Sequence, residues 1–214
     1  MRRFECSAVL FDLDGVLVDS TRSVARQWRR WAQEQGIDPE WAVARAHGVR
    51  TVDAVRMIAP QLNAEAEAKV MEQWEASDTK DVGVMPGAAE LLQKLPKDRW
   101  CIVTSGTRRV AMSRLLAGHL PTRAVLVTAD DVKRGKPHPQ PYLKGAELLG
   151  VEPSRCMVIE DAPAGIRAAH AGGMKVIALQ TTYPAEDLRE ADAVVHTLND
   201  IRLVVDSGKL LLEA

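Results

Sequence analysis

Short runs of apolar residues recur along the chain, and stretches with helical periodicity separate them. The runs are rich in Val, Ile and Leu and do not alternate with polar residues, which is typical of parallel strands covered on both faces. They are AVLF (8–11), WCIVT (100–104), AVLVT (124–128), CMVIE (156–160), KVIAL (175–179) and AVVH (193–196). Strands that alternate with helices predict an α/β fold with a doubly wound, mainly parallel sheet.

The helical stretches between these strands carry apolar residues at helical spacing. The predicted helices begin at Pro86 or cover 108–118, 141–150 and 163–173. The last three end where a helix C-cap is expected, at Gly118, Gly150 and Gly172.

Residues 20–82 break this alternation, because they contain no run that predicts a strand. One stripe at helical spacing holds Val24, Trp28, Trp31 and Gln35. Four of the five tryptophans lie in this segment, and their spacing indicates that they pack a small core rather than bind a ligand. We therefore predict an all-helical cap domain over 20–82, inserted into an α/β core formed by 1–19 and 83–214.

Composition and charge argue against several classes of protein. The formal net charge of −1 does not favour a nucleic-acid or membrane-surface binder. No apolar run approaches the roughly 20 residues of a membrane span, and the N-terminal residues do not resemble a signal peptide. Three distant cysteines, Cys6, Cys101 and Cys156, are expected as buried strand thiols in a reducing cytoplasm. The sequence does not indicate an oligomeric state, and a monomer is favoured.

Polar residues that suit phosphate or metal binding follow four of the predicted strands. FDLDG ends the first run, VTSGT the second and VIEDAPAG the fourth, while TADDVKRGKPHP, which contains Lys136, follows the third. In an open α/β sheet, ligands bind beyond the carboxyl ends of the strands. Carboxylates, hydroxyls, a glycine and a lysine at one edge suit a phosphate group and a divalent cation.

Asp12 and Asp14 are central to this prediction. Side chains at i and i+2 of an extended segment point the same way, so both carboxylates face one site. A hard cation and a lysine relieve their repulsion, and Mg²⁺ needs only one or two carboxylates because it keeps several waters. Taken singly, each motif is most often structural: a Ser-Gly turn, a loop lysine, or a helix cap at Glu160 and Asp161. Their order at successive strand ends indicates a site.

This order of motifs resembles the haloacid dehalogenase superfamily, whose phosphatases carry D-x-D-G, a Thr or Ser after the second strand, a later Lys and a final acidic pair. The resemblance covers essentially the whole chain. The sequence is most similar to glycerol-phosphate, 2-deoxyglucose-6-phosphate and related sugar-phosphate phosphatases over residues 47–60, 103–109, 128–150 and 158–173.

The resemblance implies roles for the acidic residues. Asp12 is implied to attack phosphorus and form an aspartyl-phosphate. Asp14 is implied to protonate the leaving alcohol and then deprotonate the attacking water. Mg²⁺ is implied to be held by Asp12, the backbone carbonyl of Asp14 and Asp161, with Glu160 either a ligand or a neighbour that supports the ligands.

The resemblance also implies how the phosphate and the rest of the substrate are bound. Lys136 is expected to neutralise and position the phosphoryl oxygens together with Thr104, Ser105 and Gly106. The helical cap is expected to close over the core, exclude water and select the substrate.

Within the cap, His47 and Arg50 are the candidates for contact with the sugar or the phosphate. A surface salt bridge or a helix cap is the alternative role for Arg50.

Individual residues argue against three alternatives to a phosphatase. Halide displacement needs no acid at the second aspartate, so Asp14 argues against it. A β-phosphoglucomutase-like mutase has a histidine five residues after the cap-hinge aspartate; counting from Asp19, this chain has Val24, which favours hydrolysis. A catalytically silent phosphometabolite-binding protein could lose Asp14 or Lys136, yet both are present. The prediction is a Mg²⁺-dependent phosphatase of small phosphorylated sugars or polyols.

Overall fold

Parallel strands form the centre of the fold, with helices on both faces. The computed structural model describes residues 2–122, 124–206 and 209–214. The strands are β1 (Arg3–Cys6), β2 (Ala8–Phe11), β3 (Val18–Asp19), β4 (Gly83–Val84), β5 (Trp100–Val103), β6 (Val125–Val127), β7 (Cys156–Glu160), β8 (Lys175–Leu179), β9 (Ala193–Val195), β10 (Arg202–Asp206) and β11 (Lys209–Glu213). The helices are α1 (Thr21–Glu34), α2 (Pro39–Ala46), α3 (Thr51–Ile58), α4 (Ala64–Ser77), α5 (Ala88–Lys94), α6 (Arg108–Ala117), α7 (Gln140–Leu149) and α8 (Pro163–Ala171). Short 3₁₀ turns lie at Ala129–Asp131, Pro153–Arg155 and Leu198–Asp200.

The six predicted runs all form strands of one parallel sheet, in the order β6-β5-β2-β7-β8-β9. The chain enters at β2 and then extends the sheet first to one side and later to the other. The doubly wound α/β prediction is therefore confirmed, and β2 lies at the point where the winding reverses, which is where such sheets bind ligands.

The two faces of the sheet bury separate sets of side chains. Val9 and Phe11 of β2 pack with α5 and α6, whereas Ala8 and Leu10 pack with α7 and α8. Alternate residues of a strand point to opposite faces, and a parallel sheet is covered on both. This double cover explains why the runs did not alternate in polarity.

The predicted local features are confirmed in the main. All three cysteines are free and buried in strands, and burial raises the pKa of Cys6 to about 12 and that of Cys156 to about 11. The C-caps of α6, α7 and α8 are the three predicted glycines. Helix α5 begins at Ala88, two residues after the predicted start, because Gly87 (φ 87°) takes the left-handed conformation before it.

Two further sheets were not predicted. β1, β11 and β10 form an antiparallel sheet in the order β1-β11-β10, which pairs Arg3 with Glu213. β3 and β4 form a two-residue antiparallel pair in which Val18 faces Val84. Such short strands leave little periodicity in the sequence, and their partners are distant along the chain.

Helices α1 to α4 pack around a core of their own, which contains Trp28, Trp31 and Met71. Trp28 and Trp31 are buried and meet edge to face with their ring centroids 5.3 Å apart. The expectation that all four tryptophans pack this core is wrong for Trp41, which is 39% exposed and lies beneath the Arg45 guanidinium. Among the described residues, no helix combines the length and apolar character needed to cross a bilayer.

Candidate active site

The carboxyl ends of the central strands bring the two leading aspartates into one cavity. Asp12 follows β2 directly, and Asp14 lies beyond it at a sharp turn through Gly15 (φ 77°). A Cβ at Gly15 would lie 2.1 Å from Oδ2 of Asp161. Only glycine therefore permits both this turn and the close approach of the second acidic motif.

Lys136 joins the first and the last of these motifs. Its Nζ donates to Oδ1 of Asp12 at 2.6 Å and to Oε1 of Glu160 at 2.8 Å. A third donation reaches the Val103 carbonyl oxygen at 3.2 Å, and the side chain is only 1% exposed. The lysine from one loop thus neutralises the acidic ends of two adjacent strands, β2 and β7.

Glu160 has both oxygens occupied by donors. Oε1 accepts from Lys136 and from the Tyr142 hydroxyl at 2.9 Å, and Oε2 accepts from the backbone N–H groups of Asp161 and Ala162, each at 2.8 Å. A Cβ on Gly165 would overlap this carboxylate at 1.6 Å, so the glycine makes room for it. The structure places Glu160 as a partner of Lys136 and of the α8 N-terminus.

Burial and the charges of neighbouring carboxylates raise the pKa values of Asp12 and Asp161. Burial raises the pKa of Asp12 to about 7; Lys136 opposes that shift, and the Glu160 and Asp14 charges add to it. Burial also raises the pKa of Asp161, with the Glu160 and Asp12 charges adding to the effect. Burial alone would lower the pKa of Lys136, yet the Asp12 and Glu160 charges raise it. The cluster is therefore short of positive charge.

These residues fit a small divalent cation. Within the described residues no group of three or more His, Cys, Asp or Glu side chains has a metal-binding arrangement, so a cation here would depend on few carboxylates. Asp161, oriented by the Thr182 hydroxyl, and Asp12 supply two of them. The Asp14 backbone carbonyl accepts no hydrogen bond in the described part of the chain. Two carboxylates and one carbonyl, completed by waters, is a donor set that Mg²⁺ uses.

Asp14 has different partners from Asp12. Its Oδ1 accepts from the Ser20 hydroxyl and its Oδ2 from Nη1 of Arg114, both at 2.5 Å. Arg114 is 4% exposed, and its Nη2 lies 3.5 Å from Oε2 of Glu75 in α4. The α/β core and the helical segment over 20–82 therefore meet at this arginine.

Of the residues predicted to bind phosphate, Thr104, Ser105 and Gly106 line the same cavity, whereas Lys136 lies buried behind Asp12 and is not part of the lining. Thr104 is buried, and its Oγ1 accepts the backbone N–H of Gly106 at 3.1 Å. The Ser105 hydroxyl instead donates to the backbone carbonyl of Gly48 at 3.0 Å, which ties this loop to the helical segment. The helical segment contributes further lining residues, which include Val24, Trp28, His47, Thr51 and Glu75.

The two cap candidates differ in position. His47 lines the cavity. Burial lowers the pKa of its imidazole, and the Asp14 charge only partly opposes that shift. Arg50 lies outside the lining: its Nε donates to Asp53 at 2.6 Å and its Nη1 to the Val132 carbonyl at 3.2 Å. Its side chain also packs on Gly135, beside Lys136. The structure thus brings His47 to the cavity and places Arg50 where the helical segment packs against the loop over 132–139, here called the lysine loop because it carries Lys136.

A family model for haloacid dehalogenase-like hydrolases matches residues 6–173. The chain belongs to the haloacid dehalogenase-like hydrolases. The resemblance read from the motifs is therefore confirmed.

Relatives with named activities align along most of this hydrolase. Hexitol phosphatase A of Escherichia coli (strain K12) is 44% identical over 201 residues, which are 92% of this chain and 93% of the relative. Glycerol-1-phosphate phosphohydrolase 2 of Saccharomyces cerevisiae is 38% identical over 216 residues, which are 92% of this chain and 84% of the relative. A hydrolase structure from Pseudomonas syringae superposes with a TM-score of 0.83 at 29% identity, covering 89% of this chain and 94% of that one.

Sequence reasoning missed several polar residues of this hydrolase's cavity. They lie outside any motif: Ser20, Glu75, Arg114 and Thr182. A signal was present for two of them. Arg114 lies four residues after Val110 on the buried face of α6, and Glu75 lies four residues after Met71 on that of α4. A charged residue one helical turn from a buried apolar residue indicates a buried partner when it is itself buried.

Proposed function

We propose that the protein is a Mg²⁺-dependent phosphatase that hydrolyses phosphate monoesters of small sugars or polyols through an aspartyl-phosphate on Asp12. One observation carries the proposal: two aspartates share one cavity but have different partners. Asp12 is paired with a buried lysine, and Asp14 is held by a hydroxyl and an arginine. The similarity to hexitol and glycerol-1-phosphate phosphatases supports the substrate class.

In the first step, a carboxylate oxygen of Asp12 attacks phosphorus. A bond forms between that oxygen and phosphorus, and the bond from phosphorus to the alcohol oxygen breaks. Asp14 donates its proton to the departing alcohol, so a neutral alcohol leaves. Lys136 opposes the rise that burial causes in the pKa of Asp12, which favours the ionised nucleophile, and it offers positive charge to the phosphoryl oxygens.

In the second step, Asp14, now ionised, takes a proton from water. The resulting hydroxide forms a bond to phosphorus, and the bond to the Asp12 oxygen breaks, which releases phosphate and restores the enzyme. The hydrogen bonds from Ser20 and Arg114 position the Asp14 side chain for both proton transfers. The pair of steps replaces one difficult displacement with two easier ones.

The residues that would hold Mg²⁺ are Asp12, Asp161 and the backbone carbonyl of Asp14. When bound, the ion neutralises charge shared by these carboxylates and the phosphoryl group. Glu160, whose four hydrogen bonds occupy both oxygens, supports this set by holding Lys136 and the backbone of Asp161.

The helical segment over 20–82 acts in this proposal as the cap, and the β3–β4 pair marks its boundary with the core of 1–19 and 83–214. Its residues His47 and Thr51 line the cavity that would receive the substrate. Val24 also lines the cavity, and its apolar side chain offers no hydrogen bond that would withhold Asp14 from water. Hydrolysis is therefore favoured over return of the phosphoryl group to a sugar.

The test is a panel of sugar and polyol phosphates, scored by kcat/KM from phosphate release, with Mg²⁺ present or removed by chelator. We expect phosphate release that needs Mg²⁺ and is highest for small hydroxylated substrates. Conversion of a sugar 1-phosphate to its 6-phosphate without free phosphate would identify a mutase instead. Absence of turnover on the whole panel and on p-nitrophenyl phosphate would identify a binding protein.

A further inference from the structure

Arg114 and Glu75 form a buried pair beside Asp14 that no motif assigns. Arg114 lies in α6 of the core and donates through Nη1 to Asp14 at 2.5 Å. Its Nη2 lies 3.5 Å from Oε2 of Glu75, which α4 brings from the helical segment. Both side chains are less than a tenth exposed, and both residues line the cavity.

This pair is not saturated with hydrogen bonds. Among the described side chains, two polar atoms have no accessible surface and make no hydrogen bond: Nε1 of Trp100 and Nη2 of Arg114. No hydrogen bond between described residues reaches the Glu75 carboxylate, and its oxygens are not among the buried atoms without accessible surface. Buried charged groups are normally saturated. Nη2 of Arg114 has no accessible surface and faces only Glu75, so a ligand in the cavity cannot reach it. The Glu75 carboxylate lines the cavity and is open to a donor that enters from there.

The chemistry of the pair defines the missing group. Glu75 needs a hydrogen-bond donor that can reach it from the cavity, and an alcohol hydroxyl is such a donor. Because Arg114 also holds Asp14, the proposed acid for the leaving oxygen, such a hydroxyl belongs on a carbon close to the phosphate ester. We propose that Glu75, held in place by Arg114, binds a hydroxyl of the substrate's alcohol portion. This inference rests on the proposed function and names the feature that its substrate must carry.

The charges around the cavity point to the same class of substrate. Of the described residues that line it, Arg114 is the one lysine or arginine, and it already faces two carboxylates. A second phosphate or a carboxylate on the substrate would find no free cation there and would meet Glu75. The site therefore suits a neutral polyol or sugar rather than a bisphosphate or a phosphorylated acid.

The experiment compares glycerol 1-phosphate with propyl phosphate, which has the same chain length but no hydroxyl. For Glu75→Met we expect kcat/KM to fall about 10- to 100-fold on glycerol 1-phosphate, because a charge-assisted hydrogen bond is lost. Propyl phosphate should change less than about threefold, since that bond is never made. Glu75→Gln keeps an acceptor oxygen without the charge and should give an intermediate loss, and it also serves if Glu75→Met fails to fold.

Glu72→Gln is the matched control. Glu72 lies three residues earlier in α4 and accepts a hydrogen bond from Thr107 of the core, yet it does not line this cavity. This variant should leave the ratio of the two kcat/KM values unchanged.

The outcomes separate this inference from the proposed function. Equal losses on both substrates in the Glu75 variants would overturn the hydroxyl site and make Glu75 structural. Equal wild-type rates on both substrates would also overturn it while leaving a phosphatase. Failure of Mg²⁺-dependent turnover on p-nitrophenyl phosphate as well would overturn the proposed function itself, and this inference with it.

Discussion

Lys136 and Arg114 are both buried cations that bridge two carboxylates, yet their surroundings differ. Lys136 joins Asp12 and Glu160, which both belong to the α/β core, and it donates a third hydrogen bond to a backbone carbonyl. Arg114 joins Asp14 of the core to Glu75 of the helical segment, and its Nη2 faces Glu75 at 3.5 Å without a hydrogen bond. The hydrogen bonds of Lys136 are complete and lie within the α/β core. Those of Arg114 are incomplete and join the core to the helical segment.

In the proposed mechanism, this difference separates the residues that carry the reaction from those that recognise the substrate. A saturated set of charges is rigid, because each group is held by several partners. Such rigidity suits Asp12, whose position relative to phosphorus has to be reproducible. In our proposal, the Glu75 carboxylate of the second set receives its donor from the alcohol portion of the substrate, which suits selection of the substrate. The predictions below test this contrast.

The largest effect is expected at Asp12. Asp12→Asn should lower kcat by at least about a thousandfold, because an amide is a poor nucleophile and one negative charge of the metal site is lost. Phosphate release under saturating substrate measures it, with circular dichroism to confirm folding. Retention of more than about a tenth of the activity would mean that Asp12 is not the nucleophile.

Lys136 and Asp161 should fail in different ways. Each change to alanine should lower kcat/KM by about 100- to 1,000-fold, as expected for loss of a charge at the reacting centre. High Mg²⁺ should restore part of the activity of Asp161→Ala, whose defect is in metal affinity, but not that of Lys136→Ala. Titration of both variants with Mg²⁺ makes the comparison, and equal rescue would show that the two roles are wrongly divided.

The two buried cations should also differ in their contribution to stability. Lys136→Met leaves two deeply buried carboxylates without a counter-ion and should lower the free energy of unfolding by about 3–5 kcal/mol. Arg114→Met should cost less, about 1–3 kcal/mol, because the Asp14 side chain is 25% exposed. Urea denaturation in the presence of a chelator provides the measurement. A larger loss for Arg114→Met would contradict the assignment of the saturated set to Lys136.

The smallest effect is expected at Arg50. Since Arg50 packs on the lysine loop and not on the cavity wall, Arg50→Ala should lower kcat/KM about threefold to tenfold, equally for sugar and aryl phosphates, through a small displacement of Lys136. Parallel assays on a sugar phosphate and p-nitrophenyl phosphate provide the check. A loss confined to the sugar phosphate would restore Arg50 as a substrate contact.

Local sequence signals were sufficient for the strand-end motifs. Asp12 and Asp14 interrupt an apolar run, so the pattern itself marks them as exceptional, and parallel strands bring such ends together. Arg114 and Glu75 lie within ordinary helices 39 residues apart, and only the packing of α4 on α6 shows that they meet. A sequence pattern identifies the buried face of a helix but not the helix that covers it.

The pairing of β1 with β11 could not be predicted either, because the two strands are short and far apart along the chain. Strand β1 alternates between exposed and buried residues as a half-covered strand should. Its four residues are too few to distinguish from a loop, and its partner β11 lies at the other end of the described chain. The position of Trp41 on the surface could not be predicted either, because helical spacing does not show where a small core ends.

The pairing of β1 with β11 also sets an order of events during synthesis. A ribosome adds roughly 5–20 residues per second, so Phe4 is made about 10–40 s before Leu212, which lies opposite it. Throughout that interval β1 has an unpaired edge, which invites pairing with another nascent chain. The strands and loops that carry Asp12, Lys136 and Asp161 have all been translated before β11. The residues of the catalytic edge are thus available to fold before the antiparallel sheet can close, and we expect the newly made enzyme to be most open to aggregation in the seconds between.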